Sequence, residues 1–172
     1  RVPVLTIFVF VVLTLVATLV HVNKMHFDDD FGGLSFLAKA AAWFWLAVYL
    51  FVPVAMLVAL FRQEQAPGDD PAPEHPVPGA LRLALGVESA VLLVVGALLF
   101  VAPDTATRLW PWQLTPFTGR VVAAWLLAFG LATALAAVAG DLERLRTAAI
   151  AYTVFGVLVL VTVARFSGSL DW

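Results

Sequence analysis

The sequence predicts an all-α membrane protein: a polytopic transmembrane helix bundle with five spans. Three observations predict it. The 172 residues are 62% hydrophobic and 13% charged, with a mean hydropathy of +0.97; a soluble domain carries about 25% charged residues. The apolar residues gather in runs of roughly 20 or more, the length a helix needs to cross a hydrocarbon core of about 30 Å. The segments between the runs collect Pro, Gly, Asp and Arg, which lipid does not accept. Val and Ile disfavour helices in water, but in lipid the backbone must satisfy its own donors and acceptors, so helix prevails.

The first span covers about residues 2–20. Thr14, Thr18 and His21 recur at i, i+4 and i+7, one polar stripe that should face other helices. The second span covers about 36–61 and contains Pro53, which removes the bond to the Tyr49 carbonyl and predicts a kink. Residues 62–79, RQEQAPGDDPAPEHPVPG, read as a flexible aqueous linker. The third span covers about 80–102. Gly86 and Ala90, then Gly96 and Ala97, offer small residues for close helix packing.

The stretch Trp110-Pro-Trp-Gln-Leu-Thr-Pro-Phe-Thr-Gly-Arg120 reads as an interfacial turn feeding the fourth span. Trp places its ring in the apolar layer and its N–H among headgroups. Thr115 is a good N-cap, and Pro116 suits the first helical position. From there the chain stays apolar over about 116–139, roughly 36 Å of helix. Arg120 lies one turn inside, free to snorkel to headgroups or to face a polar interior. Gly119 and Ala123 again sit four apart, which marks this helix as central. Gly140-Asp-Leu-Glu-Arg144 makes a tight turn, and the fifth span covers about 145–164. The whole of 1–172 reads as a single transmembrane domain. It starts at Arg1 without methionine, so it reads as part of a longer chain.

With five spans the two ends lie on opposite sides. Side A, that of Arg1, holds Arg1, Arg62, Arg82, Arg144 and Arg146; side B holds Lys24, Lys39, Arg108, Arg120 and Arg165. With the cations balanced in this way, the positive-inside rule does not set the orientation. The polar linker and the charged turn favour side A as cytoplasmic. All six tryptophans fall in the side B half, whereas plain anchoring would populate both interfaces. Side B is therefore the specialised face. Lys39 precedes Trp43 much as Arg120 precedes Trp125, an echo of the internal repeats found in transporters.

The net charge of −2 and the lack of a basic stripe argue against nucleic acid. No cysteine is present, which removes disulfides, thiolate metal sites and cysteine nucleophiles. No phosphate loop, nucleophile elbow, dinucleotide fingerprint or zinc motif occurs, so no catalytic residue, cofactor or metal is assigned. His21 and His26 beside Asp28, Asp29 and Asp30 are weak metal candidates, because i, i+5 is poor same-face spacing. Glu88 is the one acid well inside a span, and such residues invite a functional reading. Here a structural role, protonated or paired with Arg82, is preferred over proton, cation or quinone chemistry. Trp110, Trp112 and Arg120, with Trp43 and Lys39, are the expected binding surface for a lipid headgroup or a partner helix.

The order of features resembles a family of uncharacterised bacterial integral membrane proteins. The resemblance rests on His21 with His26-Phe27, Trp43-Phe-Trp-Leu-Ala-Val-Tyr49 with Pro53, and Trp110-Pro-Trp-Gln-Leu-Thr-Pro116 with Arg120. It implies an inner-membrane location and further membrane helices at both ends, and it brings no activity. Glu88 lies outside the pattern. Together these readings favour a non-enzymatic accessory or scaffold subunit packing on lipids or other membrane proteins. The alternative is a small transporter or a lipid- or quinone-binding protein.

Overall fold

The computed structural model describes residues 2–25, 27, 36–68 and 72–169. His26, Asp28, Asp29, Asp30 and Trp172 lie outside the described residues. The described residues form helices α1 (Val2–Val20), α2 (Phe36–Glu64), α3 (Gly79–Val101), a short α4 (Pro103–Ala106), α5 (Pro116–Ala139) and α6 (Leu142–Arg165). Five of them are long and apolar enough to cross a membrane; the chain is a multi-pass membrane protein.

The helix ends follow local chemistry. Thr115 accepts a hydrogen bond from the Thr118 N–H at 3.2 Å, so α5 starts where the Thr-Pro pair places it. Gly140 ends α5 with φ of 68°, a left-handed cap that glycine adopts without penalty. Asp141 then caps α6 through the Glu143 N–H at 3.1 Å. That cap starts α6 at Leu142, ahead of the 145 at which its apolar run begins. Likewise α2 continues to Glu64, into the polar segment, and it runs unbroken across the buried Pro53.

α5 is the central helix, packed against α1 and α3, with α2 behind α1. The closest pairing is α3 with α5. A Cβ on Gly96 would meet Leu127 Cγ at 2.9 Å, and one on Gly130 would meet Leu93 Cγ at 2.9 Å. Each leucine therefore drops onto a glycine of the facing helix, the close approach that small residues permit in lipid. Ser89 Oγ donates to the Gly130 carbonyl at 2.8 Å in the same seam. The Gly86–Ala90 face anticipated for this contact is turned away: nothing lies within 4 Å of a Cβ on Gly86, and Ala90 is exposed. The leucine knobs and the need of Ser89 for an acceptor set the rotation of α3. Gly119 and Ala123 are buried as expected.

The polar stripe of α1 also faces inward. Thr14 and Thr18 are fully buried, and Trp45 Nε1 donates to Thr18 Oγ1 at 3.1 Å, joining α2 to α1.

On side A the segment before α3 is docked. The Val77 N–H donates to the Gly140 carbonyl at 3.0 Å, and the Leu142 N–H to the His75 carbonyl at 2.9 Å. Asp141, 3% exposed, accepts from the Glu74 N–H at 3.4 Å and approaches Arg144 at 3.4 Å. Burial works against its ionisation, but backbone N–H groups of Glu143, Glu74 and His75, with the Arg144 charge, outweigh it and hold the carboxyl below its ordinary value. Residues 74–78 thus close onto the α5–α6 turn, in place of the free linker that composition suggests.

Candidate functional site

Two constellations carry chemistry on side B. The first is built on Arg120. Its Nε donates to the Phe100 carbonyl at 3.1 Å, and its Nη1 lies 3.0 Å from His21 Nε2. His21 Nδ1 lies 3.0 Å from the Ala17 carbonyl. Arg120 has only donors, so His21 accepts at Nε2 and donates from Nδ1, the neutral tautomer. The Phe100 carbonyl, in the last turn of α3, thereby gains a side-chain donor, while the Ala17 carbonyl takes His21 Nδ1 beside the His21 backbone N–H at 3.2 Å. The Phe117 ring packs on His21 with centroids 5.4 Å apart. Of the two outcomes open to Arg120, the inward one is realised. It ties α5 to α1 and α3, and its fork is committed within the bundle.

The second is a cleft of about 920 Å³ between α5 and α6. α6 buries no residue in the bundle. Its contacts with α5 are aromatic: Trp125 stacks on Phe155 at 6.0 Å and 18°, and Phe129 meets Phe155 at 5.0 Å and Tyr152 at 5.3 Å. These rings hold the helices apart at mid-height, because an aromatic pair spans a wider gap than a leucine on a glycine. Towards side B the gap continues as the cleft. Val122, Trp125, Leu126 and Phe129 form the α5 wall; Phe155, Leu158, Val159, Thr162, Val163 and Phe166 form the α6 wall. From Phe155 to Phe166 the wall rises about 16 Å at 1.5 Å per residue, close to half of a hydrocarbon core of about 30 Å. The cleft therefore serves one leaflet.

Trp110, Trp112 and Gln113 stand at its mouth. The two tryptophans pack edge to face with centroids 5.2 Å apart. Trp110 Nε1 is buried and has no acceptor among the described residues; such an orphan donor costs about 1–3 kcal/mol. A second hollow of about 420 Å³, lined by residues 107–113, shares Trp110, Trp112 and Gln113 with the cleft and adds Thr107 and Arg108.

The residues expected to form one surface are dispersed. Trp110 and Trp112 line the cleft. Arg120 turns into the bundle. Trp43 is 58% exposed and packs edge-on against Phe27 at 5.0 Å. Lys39 lies near the start of α2 and is engaged within the chain. The two cation–Trp pairs of the sequence echo thus occupy unlike settings, since Arg120 points inward while Trp125 is 42% exposed on the cleft wall. Glu88 accepts a hydrogen bond from the Tyr152 hydroxyl, joining α3 to α6; the Arg82 guanidinium lies instead beside Gly140. No group of three or more metal-ligating side chains occurs among the described residues.

Sequence reasoning missed the α6 wall and Arg108. The wall residues recur as Phe155, Leu158/Val159, Thr162 and Phe166, a helical stripe with Thr162 as its one polar member. That stripe was the available signal. No protein-family model, curated protein or solved structure matches the chain.

Proposed function

We propose that this protein is a non-enzymatic membrane protein that holds an apolar or amphipathic molecule, a lipid or a quinone, in the cleft between α5 and α6. The cleft is the observation that carries this reading: about 920 Å³ walled by apolar side chains, within the range of small-molecule sites of about 300–1,000 Å³. Its depth fits a molecule entering from the side B leaflet. Chemistry on the occupant has no support in the residues, since neither wall carries an acid, a base or a nucleophile beyond Thr162. The test is extraction of the purified protein after a delipidating detergent wash, followed by mass spectrometry. Wild type should keep about one apolar molecule per chain. Protein that keeps none, while still folded, would remove the basis of this reading.

A role as an accessory or scaffold subunit draws support from α2 and α6, whose apolar faces are left almost wholly uncovered. Stoichiometric co-purification of another membrane protein in mild detergent would establish it. The resemblance on the Trp-Pro-Trp stretch supports a location in the plasma membrane of a bacterium, and loop character supports side A in the cytoplasm. Because the chain has no cysteine, single cysteines report sidedness cleanly. An impermeant maleimide should label Leu109→Cys but not Gln65→Cys in intact cells. The reverse pattern would invert the orientation.

A further inference from the structure

We infer that the occupant of the α5–α6 cleft is a glycerophospholipid of net negative charge, its headgroup over Arg108 and Gln113 and an acyl chain along α6. This rests on the cleft reading above and names its ligand. The shape of the site selects a two-part ligand. The apolar cleft and the smaller hollow share Trp110, Trp112 and Gln113, so one molecule can lie in both. A ligand filling them has a long apolar part and a compact polar part at the headgroup level.

The site's charge selects an anion. Arg108 lines the hollow, and among the described residues no Asp or Glu lines either cavity. Arg108 makes no ion pair among the described residues. Asp104, on the neighbouring α4, lines neither cavity. Arg165, which lines neither cavity, holds its guanidinium 5.8 Å over the ring of Phe166, a residue of the α6 wall. Arg108 is therefore a cation in a hollow with no carboxylate among its described lining residues, and an anionic phosphate complements it. The orphan Trp110 N–H adds a donor suited to an ester or phosphate oxygen.

Competing occupants fit less well. A neutral quinone leaves Arg108 without a counter-charge. A transmembrane helix about 10 Å across brings no phosphate headgroup to Arg108. An acyl chain is narrower and as long as the wall.

The experiment is native mass spectrometry of the whole chain released from nanodiscs of equimolar phosphatidylglycerol and phosphatidylcholine. Wild type should retain phosphatidylglycerol with a preference of about tenfold, the size of one charge-assisted contact. Arg108→Gln should still retain lipid, with that preference reduced to near one. Val159→Trp should retain neither lipid; Thr162→Trp serves the same purpose should Val159→Trp fail to elute as a folded species. Free glycerol phosphate should not displace the bound lipid. An unchanged preference in Arg108→Gln overturns the headgroup assignment and leaves the cleft reading standing. Wild-type retention in both tryptophan variants overturns the cleft reading itself. Displacement by glycerol phosphate would show a site for a free phosphate ester and overturn the lipid assignment.

Discussion

Arg120 shows how a single residue can be legible in kind and not in role. Its position one turn into an apolar helix marks it as a cation that must find a partner. The partner is His21, 99 residues away in the chain, and no local pattern links them. The inward fork gives a prediction opposite to headgroup binding. Arg120→Ala should lower stability by about 1–3 kcal/mol, as for hydrogen bonds to a charged group, read by unfolding in mild detergent. Lipid retention in the cleft should stay at the wild-type level. Loss of lipid with unchanged stability would reassign Arg120 to the ligand. Glu88 invites a paired comparison. Glu88→Gln keeps an acceptor for the Tyr152 hydroxyl, and should shift stability by less than about 0.5 kcal/mol. Tyr152→Phe removes the donor and leaves the carboxyl unpaired, so it should cost more. The reverse order would show that the charge of Glu88 matters in its own right.

At the scale of elements, hydropathy located every long helix, because a run of apolar residues is a property of the chain itself. Rotation about the helix axis is a property of pairs. Small residues were visible on α3, but which of them met α5 depended on Leu93 and Leu127 finding Gly130 and Gly96. The side A clasp was hidden for a similar reason. Proline-rich composition reads as free linker, while the backbone bonds of His75 and Val77 are made to a turn far along the chain. Asp141 at its centre gives the clasp a pH dependence. Its carboxyl titrates below its ordinary value in the folded protein, so its contribution is present above the unfolded value of about 3.9 and is lost as pH falls below that. Measured against their intrinsic rates at each pH, the Val77 and Leu142 amide hydrogens should therefore show higher protection factors at pH 7 than near pH 3. Asp141→Asn should show low protection factors at both. Protection that is independent of pH in wild type would place the clasp's strength in its backbone bonds alone.

For the whole molecule, the bundle is tight on one flank and loose on the other. α1, α3 and α5 are joined by glycine contacts, by Ser89 and by Arg120, whereas α6 is fixed by the Asp141 turn, by Tyr152 and by a few rings. Beyond Phe155 no hydrogen bond joins α6 to another helix among the described residues. A helix held at one end and at mid-height should vary most at its other end, and an amphiphile in the cleft should restrain it, since a ligand that binds one arrangement best shifts the population towards it. Spin labels on two lipid-facing pairs test this in the cysteine-free chain. The pair Ile7→Cys and Ile150→Cys reports the side A end, and Leu19→Cys with Leu160→Cys the side B end; all four positions are exposed. In lipid-free detergent the side B pair should give the broader distance distribution. Phosphatidylglycerol should narrow it and leave the side A pair unchanged. Val159→Trp, with the cleft filled, should hold one width whether or not the lipid is added. Equal widths at both ends of the wild-type helix would mean that α6 is fixed along its whole length, and the cleft would then be a permanent cavity instead of one that its occupant helps to shape.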